Sequence, residues 1–187
     1  MDKITFFLQK FISLDEDELN AFSELLKKEK IDKGSQIIKA GKNTNKIYFV
    51  NEGFLKYTMI QGENEKAIHI ASEFDLVTDF LSFYSSQPAI SSVYAITDCE
   101  LLSITREQLE ILYQNYKVWE KFVRLVAQFA VLDLIMEKLK FQTKTPKERY
   151  LELIATKPTI LQAVNLGIIA ECLGITQESL SRIRGRI

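Results

Sequence analysis

Asn165–Ile187 reads NLGIIAECLGITQESLSRIRGRI, and its spacing governs how the rest of the chain is read. Ala170 is small enough to let one helix cross another closely. Four residues on, Gly174 supplies the left-handed turn that ends a first helix. Ile175 plugs the corner, Thr176 caps a second helix, and Leu180 and Ile183 form its inner face. A small residue, Gly four later, Leu six further and Ile three beyond is helix-turn-helix spacing. The expected helices are Leu166 to Leu173 and Thr176 to the C-terminus.

The outward face of the second helix carries Gln177, Glu178, Ser181 and Arg182, then Arg184, Gly185 and Arg186. Arginine offers a two-pronged donor to guanine, glutamate accepts from the cytosine amino group, and glutamine or serine serves either. Glu178 and Arg182 are four apart and are expected to pair, fixing the arginine fork. Arg184 and Arg186, late in the helix, suit phosphates, as does Lys157. The expected DNA-binding set is Thr176, Gln177, Glu178, Ser181, Arg182, Arg184 and Arg186. The competing reading is an amphipathic helix with a solvated basic face. Charge favours the first: residues 140–187 hold 8 Lys+Arg and 4 Asp+Glu, whereas residues 1–139 hold 16 and 21.

Upstream, three segments are expected. Ser13, with Glu16 three residues on, reads as a capping box opening an N-terminal helix with Phe22, Leu25 and Leu26 on its apolar stripe. From about Ile31 to Ile104, short β-branched and aromatic runs such as Ile47-Tyr48-Phe49-Val50 and Val93-Tyr94-Ala95-Ile96 alternate with turns at Gly34, Gly41, Gly53 and Gly62. That pattern predicts an antiparallel barrel or sandwich. Thr105 caps a short helix, and a long helix should run from about Lys117 to Gln142. Its apolar residues, Trp119 to Leu139, cover more than one face, so it is buried by the barrel and by a twin helix in a dimer, or enclosed by its own chain. Thr145-Pro146-Lys147-Glu148 is a further helix start.

In this order the chain resembles the Crp/Fnr family of bacterial transcription regulators, nearly end to end. Ile169–Arg184, IAECLGITQESLSRIR, is similar to a motif of the subgroup common in Bacteroidetes-type bacteria. The resemblance implies an α+β chain: an N-terminal antiparallel β-barrel, a cyclic-nucleotide-binding-like double-stranded β-helix, then a long dimerisation helix and a C-terminal helix-turn-helix. The corresponding segments are residues 1–116, 117–142 and 143–187. It further implies a cytoplasmic homodimer on a palindromic DNA site with TGA-type half-sites, RNA polymerase as a partner, and Glu178, Ser181 and Arg182 as base readers. The chain as given stops at Ile187, so the family's wing after the second helix is expected to be missing or replaced.

The family's cyclic-AMP site is a cassette with a Gly-Glu pair and an Arg-Ser pair, because glycine lets backbone N–H groups approach the phosphate and arginine neutralises it. Here no glycine occurs from 63 to 166 and no arginine before Arg106, while Asp75 and Asp79 would repel a phosphate. A response to cyclic AMP is not expected. Phe74, Leu76, Val77, Phe80, Phe83, Tyr84, Val93 and Tyr94 either line a pocket for an unknown small-molecule effector or fill the core. Two isolated cysteines, Cys99 and Cys172, and one histidine, His69, support neither a metal cluster nor a disulfide framework, and no cofactor is expected. With no nucleophile–base pairing and no Gly-rich phosphate loop, the chain does not read as an enzyme. No apolar run approaches the roughly 20 residues that cross a bilayer, so no membrane partner is expected. The alternative function is a ligand- or protein-binding barrel whose degenerate helix-turn-helix does not engage DNA.

Overall fold

β-Branched and aromatic runs separated by glycine turns pair into two antiparallel sheets in the computed structural model, which describes residues 2–185. The strands are β1 (Lys27–Ile31), β2 (Gln36–Ile38), β3 (Lys46–Glu52), β4 (Leu55–Gln61), β5 (Asn64–Ala71), β6 (Leu76–Val77), β7 (Ser92–Ala95) and β8 (Cys99–Thr105). One sheet has the order β1-β8-β3-β6 and the other β2-β7-β4-β5. Between the sheets lies an apolar core that includes Ile38, Val50, Leu55, Val77, Val93 and Leu101.

Alternation along β3 and β8 makes the first sheet apolar on both faces. Tyr48, Val50 and Leu101 face the roll interior, whereas Ile47, Phe49, Leu102 and Ile104 face outward into a second core. That outer face is covered by α1 (Asp2–Gln9), α2 (Glu16–Leu25), α4 (Arg106–Asn115) and the start of α5 (Lys117–Thr143). Trp119 of α5 is wholly buried there and stacks on Phe22, ring centroids 4.4 Å apart. A short α3 (Phe80–Ser85) lies between β6 and β7.

Beyond α5 the chain continues as α6 (Pro146–Thr156), α7 (Ile160–Ala163), α8 (Leu166–Cys172) and α9 (Gln177–Arg184). Tyr150, Ile160, Ile169, Ala170 and Leu180 form a third core, and Phe54, Ile70 and Ile96 of the roll pack into it. The C-terminal helices are therefore docked on β5, where Glu171 also accepts a hydrogen bond from Ala67 N at 2.8 Å.

Several local expectations need revision. The first capping box is not Ser13–Glu16: Asp15 accepts from Glu18 N at 2.8 Å and Glu18 accepts from Asp15 N at 3.0 Å. Serine and aspartate cap comparably, and Asp15 also places a full negative charge at the helix N-terminus, which the helix dipole favours. Helix α1 was not anticipated, since eight residues give too little periodicity; Ile4 and Leu8 are its buried contacts. Strand β1, KKEKI, was hidden by its charges, which suit an edge strand open to water. The segment Phe80–Ser85 is helical rather than extended because Asp79 caps it, accepting from Ser82 N at 3.0 Å.

Gly53 turns β3 into β4 at φ +101°, and a Cβ there would meet Cys99 Sγ at 2.6 Å and Asp98 O at 2.7 Å. Gly62, in the β4–β5 hairpin at φ +65°, has open space around it. In urea denaturation, Gly53→Ala is expected to cost roughly 3 kcal/mol and Gly62→Ala roughly 1 kcal/mol. Equal costs would contradict the packing described for Gly53.

Candidate nucleic-acid interface

Helix α9 begins where Gly174, at φ +68°, reverses the chain and Ile175 N donates back to Ala170 O at 3.0 Å. Thr176 then caps α9 by accepting from Ser179 N at 3.2 Å. Leu180 is fully buried and Ile183 half-buried, which turns Gln177, Glu178, Ser181, Arg182 and Arg184 out to solvent. Arg186 lies outside the described residues.

Side-chain geometry differs in detail from the sequence expectation. The Arg182 guanidinium donates to Ser179 Oγ at 3.2 Å instead of closing an ion pair with Glu178. Ser179 Oγ also accepts from the Thr176 hydroxyl at 3.1 Å, so cap and arginine share one anchor. Thr176 is thereby engaged in capping rather than facing a partner. Glu178 is held below the usual carboxylate range, first by its own backbone N–H, then by the Thr176 hydroxyl, with the Arg182 charge adding to them. Gln177 leans over α8, since a Cβ on Gly167 would stand 3.1 Å from its Oε1.

Four of the eight basic residues that tilt the charge of this end are engaged internally. Lys140 and Lys144 both pair with Glu152, at 2.9 and 2.6 Å, joining α5 to α6. Arg149 donates to Lys144 O and Leu173 O, each at 2.8 Å, and lies over the Phe141 ring. It braces the carbonyl end of α8 just before the turn. Lys157 is not free for a phosphate: it donates to Asp75 at 2.8 Å and Ser72 Oγ at 2.6 Å, tying α6 to the roll. Lys147, which the sequence reading did not select, is exposed and shares a surface recess with Ser179 and Arg182. Its position two residues after the Thr145 cap was the available signal. The outward basic set among the described residues of this surface is thus Lys147, Arg182 and Arg184.

The eight residues suggested for an effector pocket do not converge inside the roll. Val77 and Val93 are packed in the roll core and Phe83 in the helix-covered core. Phe74 packs edge-on against Phe6 and Phe49, and the Tyr94 hydroxyl accepts from Gln36 on the outside of β7. Leu76, Phe80 and Tyr84 instead line a cavity outside the roll, beneath α5. Where a phosphate would need donors, Asp79 is buried and self-satisfied. One carboxyl oxygen accepts from Ile90 N, Ser91 N and Ser91 Oγ at 3.0, 3.2 and 3.0 Å.

Burial raises both thiols, Cys172 to about 12, so neither is a ready nucleophile. His69 stands on β5 at the cleft between the roll and the C-terminal helices, beside Glu137, Lys140, Arg149, Glu152 and Lys157. One edge meets solvent, but crowding by α5 and α6 strips enough water to lower its imidazole below the usual 6.5, with the Lys157 charge adding and Asp75, Glu137 and Asp133 opposing.

The comparisons with known proteins agree with this layout. Residues 28–116 match the model of the cyclic nucleotide-binding domain. Over the longer chain, similar solved structures include CLP, a c-di-GMP responsive global regulator of Xanthomonas campestris, at 15% identity and TM-score 0.68 over 92% of this chain and 91% of that one. The catabolite activator protein of Thermus thermophilus gives 19% identity and TM-score 0.57 over 96% and 85%. FixK2 of Bradyrhizobium japonicum gives 16% and 0.68 over 86% and 83%. These are Crp/Fnr-type regulators, and at such identities the likeness is one of fold. No curated protein matches the sequence. No helix among the described residues is long and apolar enough to cross a membrane.

A folded-state imidazole held below its ordinary value contributes stability in full above about pH 6.5 and loses it as the pH falls through the depressed value. Because His69 is the chain's one histidine, the effect is separable. The melting temperature should fall between about pH 7 and about pH 5, and His69→Gln should remove a small part of that fall, since the half-solvated imidazole is screened by water. An unchanged profile in the variant would refute the assignment.

Proposed function

We propose that the chain is a homodimeric, sequence-specific DNA-binding regulator of transcription. The observation that carries this reading is α9: buried on Leu180, held after a glycine turn by Thr176, and presenting glutamine, glutamate, serine and arginine to solvent. That side-chain set matches the donor and acceptor pattern of base edges in the major groove. Glu178, Ser181 and Arg182 read bases, whereas Lys147 and Arg184 hold phosphates and set the register. By resemblance the half-sites contain TGA.

Dimerisation is supported by the second half of α5. Phe129, Leu132, Met136 and Leu139 are all exposed, at 56%, 57%, 52% and 44%, and recur at three- and four-residue steps. This is the seam of a two-helix coiled coil. Pairing there brings two α9 helices to one duplex, about 34 Å apart, and makes the DNA site an inverted repeat.

The regulator acts without cyclic AMP. The Asp79 carboxyl group takes the backbone and hydroxyl donors around Ile90 and Ser91 that an anion would otherwise use, and Arg106, at the far end of α3, is spent on Phe83 O and Ser86 Oγ. The protein works in the cytoplasm by binding rather than by catalysis, with RNA polymerase as the partner that its DNA position affects.

Selection from a randomised duplex pool tests the reading. The intact protein should enrich an inverted repeat. Arg182→Ala should weaken binding to it by about 1–3 kcal/mol and relax one base position. Lys147→Ala and Arg184→Ala should weaken all duplexes alike and each lower the salt slope by about one. No enrichment at low salt, or unchanged base preference in Arg182→Ala, would overturn it.

A further inference from the structure

We propose, resting on the DNA-binding reading above, that Glu171 and Lys157 are positioning residues for DNA recognition: they key the C-terminal helices to two points on the roll and so set the separation at which paired half-sites are read. Strand β5 is the edge of its sheet, so N–H groups pointing away from β4 have no strand to take them. The Glu171 carboxylate, on α8, accepts one of these from Ala67 N at 2.8 Å. Glu171 follows Ala170, whose carbonyl closes the turn into α9 by accepting from Ile175 N at 3.0 Å. The bond from β5 is therefore one short turn of chain away from the recognition helix.

The second key stands just past the other end of the strand. Lys157, at the C-terminal cap of α6, donates to Asp75 Oδ2 at 2.8 Å and to Ser72 Oγ at 2.6 Å. Asp75 Oδ2 is itself held, since it accepts from Ser72 N at 2.7 Å. Ala67 and Ser72 are five residues apart, about 17 Å at the rise of an extended chain. Between them Ile70 packs into the C-terminal core.

Apolar contact is non-directional and tolerates tilting, whereas a hydrogen bond fixes direction as well as distance. Two such bonds on either side of Ile70 oppose rotation of the C-terminal helices about that contact. Little rotation is tolerable. Packed helices lie about 8–10 Å apart, so pivoting α8 in its seat by about 20° moves α9 roughly 3 Å, close to one base-pair rise of about 3.4 Å. In a dimer both copies pivot, and the displacement doubles. Neither residue needs to touch DNA for this role. Both bonds are partly open to water, so they contribute little to stability and much to direction.

The test uses the intact chain and inverted repeats of its selected half-site, with the centre-to-centre separation stepped by single base pairs through about 8 to 13. The intact protein should prefer one separation. Glu171→Ala should shrink that preference by about 2- to 12-fold, the range of one net hydrogen bond, with the preferred bases inside each half-site unchanged. Glu171→Gln, whose amide oxygen still accepts, should keep the preference although it lacks the charge. Lys157→Ala should act like Asp75→Ala, relaxing the spacing and leaving the salt slope as it is; a lysine that held a phosphate would instead lower the slope by about one. Without DNA, the Ala67 amide should exchange its hydrogen faster in Glu171→Ala than in the intact protein or in Glu171→Gln. An undiminished spacing preference in Glu171→Ala, or an unchanged Ala67 exchange rate, overturns the proposal while the DNA-binding reading stands. So does a Glu171→Gln variant that behaves as Glu171→Ala, or a salt slope lowered in Lys157→Ala. An intact protein that selects no inverted repeat overturns both, whatever the Ala67 amide does.

Discussion

The β1-β8-β3-β6 sheet is apolar on both faces, and the remaining architecture answers that constraint. The inner face is satisfied by the opposing sheet across the roll. The outer face, with Ile47, Phe49, Leu102 and Ile104, requires a helical cover, and α1, α2, α4 and the first turns of α5 supply it. Anchoring α5 there through Trp119 and Phe122 fixes where the remainder of that 27-residue helix goes. It runs on past the roll, leaving an apolar stripe in solvent and an unfilled space beneath it.

The far end of α5 is tied to the C-terminal helices by ion pairs more than by apolar packing. Lys140 and Lys144 share Glu152, and Lys157 reaches Asp75 and Ser72 on the roll. These pairs are partly exposed, so each contributes modestly to stability and more to placement. Arg149 has a sharper role, because its two donors join the carbonyl of Lys144, at the α5–α6 junction, to that of Leu173, just before the α8–α9 turn. The orientation of α9, and therefore of Arg182, follows from that brace and from the burial of Leu180.

Much of this was legible in the sequence, where covalent and steric rules act locally. Gly34, Gly41, Gly53, Gly62 and Gly174 all take positive φ, as their turn settings required. The caps at Thr105, Thr145 and Thr176 are where a hydroxyl before an apolar run places them. What the sequence concealed depends on distant partners. Strand β1 exists because β8 pairs with it, and its charged alternation carries no apolar signal. Lys157 looked free until the roll brought Asp75 to it across 82 positions. Asp79 looked like a repulsive charge, whereas three donors eleven and twelve residues away converge on one of its oxygens. Of the residues that could line a pocket or fill the core, Val77 and Val93 fill the roll, whereas Leu76, Phe80 and Tyr84 lie outside it under α5, a division that only the tertiary fold decides.

The central claim, two copies of the chain presenting paired α9 helices to one duplex, is tested most directly by hydroxyl-radical footprinting on a duplex the protein selects. The account expects two protected blocks related by a dyad, their centres about one helical turn or 10 base pairs apart. A single unpaired block, or uniform protection independent of sequence, would contradict it.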